Sequence, residues 1–110
     1  MQTHEFIAKG IRFSIERSGI EVARAYLYVL KNDLHDTPFG LLEDVHVESA
    51  SRGTGAGREL LDQILERTKT EKCYKLIATS RDDGTRQLVH DWYLRLGFRD
   101  YGTEFRMDFK

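Results

Sequence analysis

Cysteine, proline and net charge are all scarce in this chain. Cys73 is the one cysteine among 110 residues. It excludes an internal disulfide and any cysteine-rich metal site, and it suits a reducing compartment. Pro38 is the one proline, and no linker, repeat or low-complexity segment interrupts the sequence, so a single domain over residues 1–110 is expected. No apolar run is long enough to span a bilayer. The opening residues Met1-Gln2-Thr3-His4-Glu5 lack the basic and apolar regions of a secretory signal, so cytoplasm is the expected compartment. A net charge of −1 provides no field to draw DNA, RNA or an anionic membrane. His4 and His35 meet no carboxylate at metal-ligand spacing, so no metal is expected.

What is present describes an ordinary soluble globular protein: 40% hydrophobic and 32% charged residues. Residues 5 to 9 are a candidate short strand. Ile11 to Arg17 alternates Ile11, Phe13 and Ile15 against Arg12, Ser14 and Glu16, the pattern of a half-buried strand. After a turn at Ser18-Gly19, residues 20 to 31 read as a longer strand. Its two faces, Ala23/Ala25/Leu27/Val29 and Val22/Tyr26/Tyr28/Leu30, are both largely apolar, which predicts a central position in a sheet. Phe39 to Val47 is the next strand, and Glu43 and Asp44 interrupt it. Carboxylates inside an otherwise apolar strand conflict with burial, and such conflicts mark function.

The run Arg52-Gly53-Thr54-Gly55-Ala56-Gly57 follows. Leu60, Leu61, Ile64, Leu65 and Thr68 then recur at helical spacing. Residues 74 to 80 read as a strand, which completes a parallel strand–helix–strand unit. Thr85 is a candidate cap for a second helix over residues 86 to 96, with Leu88, Val89, Trp92 and Leu96 on one face and Gly97 ending it. A hairpin of residues 98–101 and 104–109 about Gly102-Thr103 closes the chain, with Phe105, Met107 and Phe109 turned inward. The expected fold class is α/β: a mixed sheet, antiparallel at its start, with two main helices.

The glycine run decides what kind of site to expect. Three glycines between Gly53 and Gly57, ahead of a helix, let backbone N–H groups surround a phosphate. A dinucleotide fingerprint starting at Gly53 would need a small residue where Arg58 stands, and one starting at Gly55 would need it at Leu60. A Walker loop would need Gly-Lys-Ser/Thr, which is absent. A ligand-free glycine turn is the competing reading. Arg52 and Arg58 on either side, with the helix dipole, favour an anion.

Arg52-x-x-Gly55-x-Gly57 after an apolar strand resembles the R/Q-x-x-G-x-G/A signature of the GCN5-related N-acetyltransferase family. Trp92-Tyr93-Leu94-Arg95-Leu96-Gly97-Phe98 resembles the aromatic-Tyr-x-x-x-Gly-Phe segment late in that family. Arg86-x-x-Val89-His90-x-Trp92-Tyr93 is similar to a version found in many bacterial members, and Leu42-Glu43-Asp44-x-x-Val47 to a strand of small-amine acetyltransferases. The resemblance covers roughly residues 40 to 100. Members usually place two helices between their first and second strands, for which residues 1 to 20 have no room. Arg86 stands where an asparagine is often found.

The resemblance implies transfer of an acetyl group from acetyl-CoA to a primary amine, with no metal. The N–H groups of Gly53, Thr54, Gly55, Ala56, Gly57 and Arg58, flanked by Arg52, would hold the cofactor pyrophosphate. The extended pantetheine amides would pair with the backbone of Val45, His46 and Val47, where one N–H would polarise the thioester carbonyl. Glu43 is the first candidate base and Asp44 the second, on the opposite strand face. Tyr93 is the candidate acid for the departing thiolate. Glu43, Asp44 and Tyr26 are the candidate acceptor-site residues, with Tyr26 read equally as sheet packing. His46, assigned the parity of Asp44, and His90 read as face residues rather than bases. Arg86 is a candidate for a cofactor phosphate and equally for a surface ion pair. The charged run from Glu66 to Lys72 reads as a solvated helix end. The acceptor is expected to be a small molecule, and the open acceptor face allows a homodimer or a protein amine. A non-catalytic acyl-CoA-binding module is the alternative function.

Overall fold

A computed structural model describes residues 1–110. The chain divides into two compact units, residues 1–78 and 79–110.

The first unit holds a four-stranded sheet in the order β1 (Lys9–Arg17), β2 (Ile20–Leu30), β3 (Phe39–Val47) and β4 (Leu76–Ala78). The first two pairings are antiparallel and β3–β4 is parallel. Ser18 and Gly19 turn between β1 and β2 with positive φ at both. β2 is paired on both sides, as its two apolar faces imply. Residues 5 to 8 form no strand, so that expectation fails except at Lys9, which opens β1. β4 spans Leu76–Ala78 rather than residues 74 to 80.

Helix α1 (Ala56–Thr70) carries the strand–helix–strand crossover and lies on β1, β2 and β3. Ala56, Leu60, Leu61 and Ile64 are fully buried, against Ile15, Ala25, Leu27 and Leu42 of the sheet. Burying each of the large aliphatic side chains contributes roughly 1.5–3 kcal/mol. Thr68 also faces inward, and its hydroxyl donates to the Ile64 carbonyl at 2.7 Å, so no polar group is stranded. Gly40 is the one β3 residue that packing requires to be small. A Cβ there would stand 2.9 Å from Leu76 Cδ1 and 3.1 Å from Leu27 Cδ1.

The charged run at the end of α1 is not simply solvated. Glu71 accepts from Lys9 Nζ at 2.5 and 3.0 Å and from Arg67 Nε at 3.3 Å, tying the helix end to the start of β1.

The second unit contains α2 (Gln87–Arg95). Arg86, not Thr85, is its N-cap; Thr85 instead donates its N–H and hydroxyl to the Asp83 carboxylate, a local turn that competes with capping. The expected buried face is not formed: no α2 residue is buried and Leu88 is 84% exposed. The expected C-terminal hairpin is not formed either. Residues 99–110 carry no strand, and Phe105, Met107 and Phe109 are exposed. A two-stranded hairpin needs a layer to cover its apolar face, and alternation alone does not supply one. No helix is long and apolar enough to cross a membrane.

Candidate functional site

The glycine run folds as a tight turn that leaves amides unspent. Ser49–Ser51 forms one turn of 3-10 helix, and Gly53 and Gly55 then take φ of +79° and +91°. Only glycine adopts that backbone freely, which is why the spacing requires it at both positions. Gly55 is the N-cap of α1 and brings no side chain to cap the helix. The first N–H groups of a helix have no intrahelical acceptor. They therefore face outward with the positive end of the helix dipole. A Cβ on Gly53 or Gly55 would meet nothing within 4 Å, so the space over the turn is open. An anionic ligand fits this arrangement. Of the groups that coenzyme A carries, its pyrophosphate is the one that would suit these amides.

The flanking arginines differ. Arg52 Nε donates to the Val47 carbonyl at 3.1 Å, which closes the turn onto the end of β3. Arg58 is paired with Asp62 at 2.9 Å, so its charge is already partly answered. Within the turn Thr54 donates its hydroxyl to the Ser51 carbonyl at 2.5 Å.

The strand leading to the turn contains a bulge that the alternation of its residues does not show. Arg24 of β2 stands opposite His46, and Tyr26 opposite Glu43. Asp44 and Val45 thus share the single position opposite Ala25. Asp44 takes φ +54°, a left-handed conformation that aspartate tolerates better than most residues. The extra residue reverses the alternation beyond it. Glu43 and His46 lie on one sheet face, opposite α1, with Tyr26 and Arg24. His46 does not share the parity of Asp44, which corrects the expectation from simple alternation. β4 pairs only with Gly40, Leu41 and Leu42, so the edge of β3 from Glu43 to Val47 has no strand beside it.

That sheet face is polar around Tyr26. Arg12 donates to the Tyr26 hydroxyl at 3.2 Å and pairs with Glu21 at 2.7 Å. The Arg12 hydrogen bond holds the Glu21 carboxyl below its ordinary range. His46 Nε2 lies 3.2 Å from Glu48 Oε1. Arg24 Nη1 donates to the Asp44 carbonyl oxygen. Arg24 is a residue that sequence reasoning missed. The signal was a lone arginine inside an apolar strand, the same kind of conflict that drew attention to Glu43.

In the second unit, Arg86 opens α2 and is exposed. Tyr93 stands near the other end of the helix. Its ring stacks on Trp92 at 5.7 Å and meets Phe98 at 5.3 Å between centroids. The helix ends as the glycine implied. Gly97 has φ +102° and donates to the Leu94 carbonyl, while Phe98 donates to the Tyr93 carbonyl. This paired closure brings the Phe98 ring against Tyr93, so the Gly97-Phe98 step fixes the tyrosine from below.

The comparisons with known proteins agree with one another. Residues 8–98 match the family model described as acetyltransferase (GNAT) family. A glucosamine 6-phosphate N-acetyltransferase of Trypanosoma brucei brucei is 33% identical over 69 residues, covering 63% of this chain and 44% of the relative. The chain thus spans less than half the length of that curated relative. The crystal structure of a Trypanosoma brucei acetyltransferase superposes with a TM-score of 0.74 at 27% identity, covering 93% of this chain and 69% of the other. Glucosamine-6-phosphate N-acetyltransferase from Arabidopsis thaliana shares the fold, with a TM-score of 0.79 at 22% identity over 92% of this chain and 67% of the other.

Proposed function

Because the chain belongs to the acetyltransferase (GNAT) family, we propose that it transfers the acetyl group of acetyl-CoA to a primary amine of a small molecule. The observation that carries the reading is the turn from Arg52 to Arg58. Its left-handed glycines and uncapped helix start present amides to an anion, beside a strand edge with no neighbour.

The residues divide the work. The amides of Gly53 and of Gly55 to Arg58 hold the pyrophosphate, the expected Thr54 amide being spent instead on the Ser51 carbonyl, and the backbone of Val45, His46 and Val47 pairs with the pantetheine arm. A primary amine with pKa of about 10.4 arrives protonated. Glu43, on the face it shares with Tyr26, takes that proton directly or through a water. The freed nitrogen attacks the thioester carbon, and a main-chain N–H of β3 stabilises the oxygen as it gains charge. The carbon–sulfur bond then breaks as the Tyr93 phenol gives its proton to the departing sulfur, and the second proton of the attacking nitrogen, lost as the amide forms, restores the phenol through water; this return offsets the uphill transfer from a phenol of pKa about 10 to a thiolate of pKa about 8.5. Acetyl-CoA supplies the activated acyl group, and no covalent enzyme intermediate is required. The names of the relatives support an amino-sugar or similar small amine as acceptor.

A thiol-release assay with acetyl-CoA tests this against glucosamine, glucosamine 6-phosphate and spermidine, with wild type beside Tyr93→Phe. The expected result is turnover with at least one amine, and a loss of about a hundredfold or more in kcat for Tyr93→Phe with coenzyme A affinity retained. Unchanged kcat in the variant removes Tyr93 from the acid role. Coenzyme A binding without release on any amine replaces the enzyme with an acyl-CoA-binding module.

A further inference from the structure

Arg24, like Arg52, directs its guanidinium to a main-chain oxygen of β3. Arg12, Arg17, Arg58 and Arg67 all pair with carboxylates. Arg24 donates instead to a main-chain oxygen, the carbonyl of Asp44. That carbonyl belongs to the peptide joining the two residues of the bulge. Resting on the acetyltransferase reading above, the geometry points to Arg24 as a positioning residue that aims the Val45 N–H at the thioester carbonyl of acetyl-CoA.

The argument is one of peptide geometry. A trans peptide is planar, and its C=O and N–H point in opposite directions. With the Asp44 oxygen held toward Arg24 of β2, the Val45 N–H turns away from β2. In that direction β3 has no strand neighbour, because β4 ends its pairing at Leu42. The conformation needs holding. Asp44 is a non-glycine residue at φ +54°, on an exposed position with no burial to lock it. A guanidinium on the carbonyl does a second thing. Drawing electron density toward the oxygen polarises the peptide and makes its N–H a stronger donor. Arg24 therefore acts through Val45, without touching the substrate.

Two variants and two spectroscopic readouts test it. Arg24→Gln loses the charge; Arg24→Lys keeps a cationic donor on the same strand position. In the ligand-free protein, the Val45 amide resonance is expected to move in Arg24→Gln and to stay near its wild-type position in Arg24→Lys. Amides of Leu27 and Leu61, on buried residues away from the bulge, serve as controls for the fold. With carbonyl-labelled acetyl-CoA bound, the infrared carbonyl stretch is expected below its solution value in wild type. Arg24→Gln should return it at least halfway to the solution value, and Arg24→Lys should retain most of the shift. A Val45 amide unmoved by Arg24→Gln overturns the inference, as does a carbonyl stretch equal in wild type and variant; in both cases acetyl-CoA still binds and the acetyltransferase reading stands. Wild type that fails to bind acetyl-CoA overturns both together.

Discussion

Glu71 is held by two cations, Lys9 on β1 and Arg67 one helical turn earlier, with its side chain only 14% exposed. The Lys9 hydrogen bond is the larger cause that lowers its carboxyl below the ordinary range, with Arg67 adding to it against the cost of burial. A depressed carboxyl stabilises the fold above its unfolded pKa, and that contribution disappears as pH falls through the folded value. Thermal melts of wild type and Glu71→Gln between pH 7 and 2.5 should therefore differ most at neutral pH, with wild type higher. The gap should close on acidification below a pH of about 4. A gap that persists unchanged at the acid end would assign the effect to packing rather than charge. The sequence showed Glu71 only as one of several charges at a helix end, because its partner Lys9 lies on another element and 62 residues away. Glu43 was legible for the opposite reason: its conflict with an apolar strand is local. The face it shares with His46 was not legible, since the bulge at Asp44 shows only in the register against β2 and not in the alternation of β3 itself.

At the scale of elements, both helices end in the same way but with different residues in the left-handed position. α2 uses Gly97. α1 uses Lys72, at φ +61°, where Lys72 donates to the Lys69 carbonyl and Cys73 to the Thr68 carbonyl. A side chain with a Cβ costs about 1–2 kcal/mol in this conformation. Glycine would remove that cost and return part of it through the greater freedom of the unfolded chain. Lys72→Gly should thus stabilise the protein by about 0.5–1 kcal/mol, read as a higher urea midpoint with an unchanged slope. Lys72 is exposed and takes part in no ion pair, so the change tests the backbone alone. A lower midpoint would mean that the helix end is held by the lysine stem. The elements themselves were largely legible. The strands from Phe39 to Val47 and around Ile20 to Leu30, and the helix after the glycine run, follow from periodicity joined to turn chemistry. The N-cap of α2 was misplaced because Asp83 claims both donors of Thr85.

On the scale of the whole molecule, stability is distributed unevenly between the two units. Every buried core residue, from Ile15 to Ile64, belongs to residues 1–78. α2 has nine residues and buries none of them, and a helix so short is marginal without tertiary packing. Residues 99–110 carry no strand, although Phe105, Met107 and Phe109 alternate as a strand would. Alternation states which face would be buried; it does not state what buries it, and that is why the hairpin was expected and not found. Local opening free energies follow burial and hydrogen bonding. Amide hydrogen exchange should therefore separate the chain into three levels. Amides of β2 and of α1 from Leu60 to Thr68 should exchange slowest, by opening of the whole first unit. Amides of α2 should exchange faster by at least about tenfold, as expected if the helix opens alone at a cost lower by about 1.4 kcal/mol or more. Amides from Asp100 to Lys110 should exchange near the rate of an unstructured peptide. Protection of residues 104–109 at alternate positions would reveal a paired strand there, and protection of α2 equal to that of α1 would mean that the two units open as one. Addition of coenzyme A sharpens the same measurement, because a ligand that binds only the folded turn slows exchange where it docks. The amides of Gly55, Ala56 and Gly57 should gain protection, and loss of that gain would leave the turn without its proposed ligand.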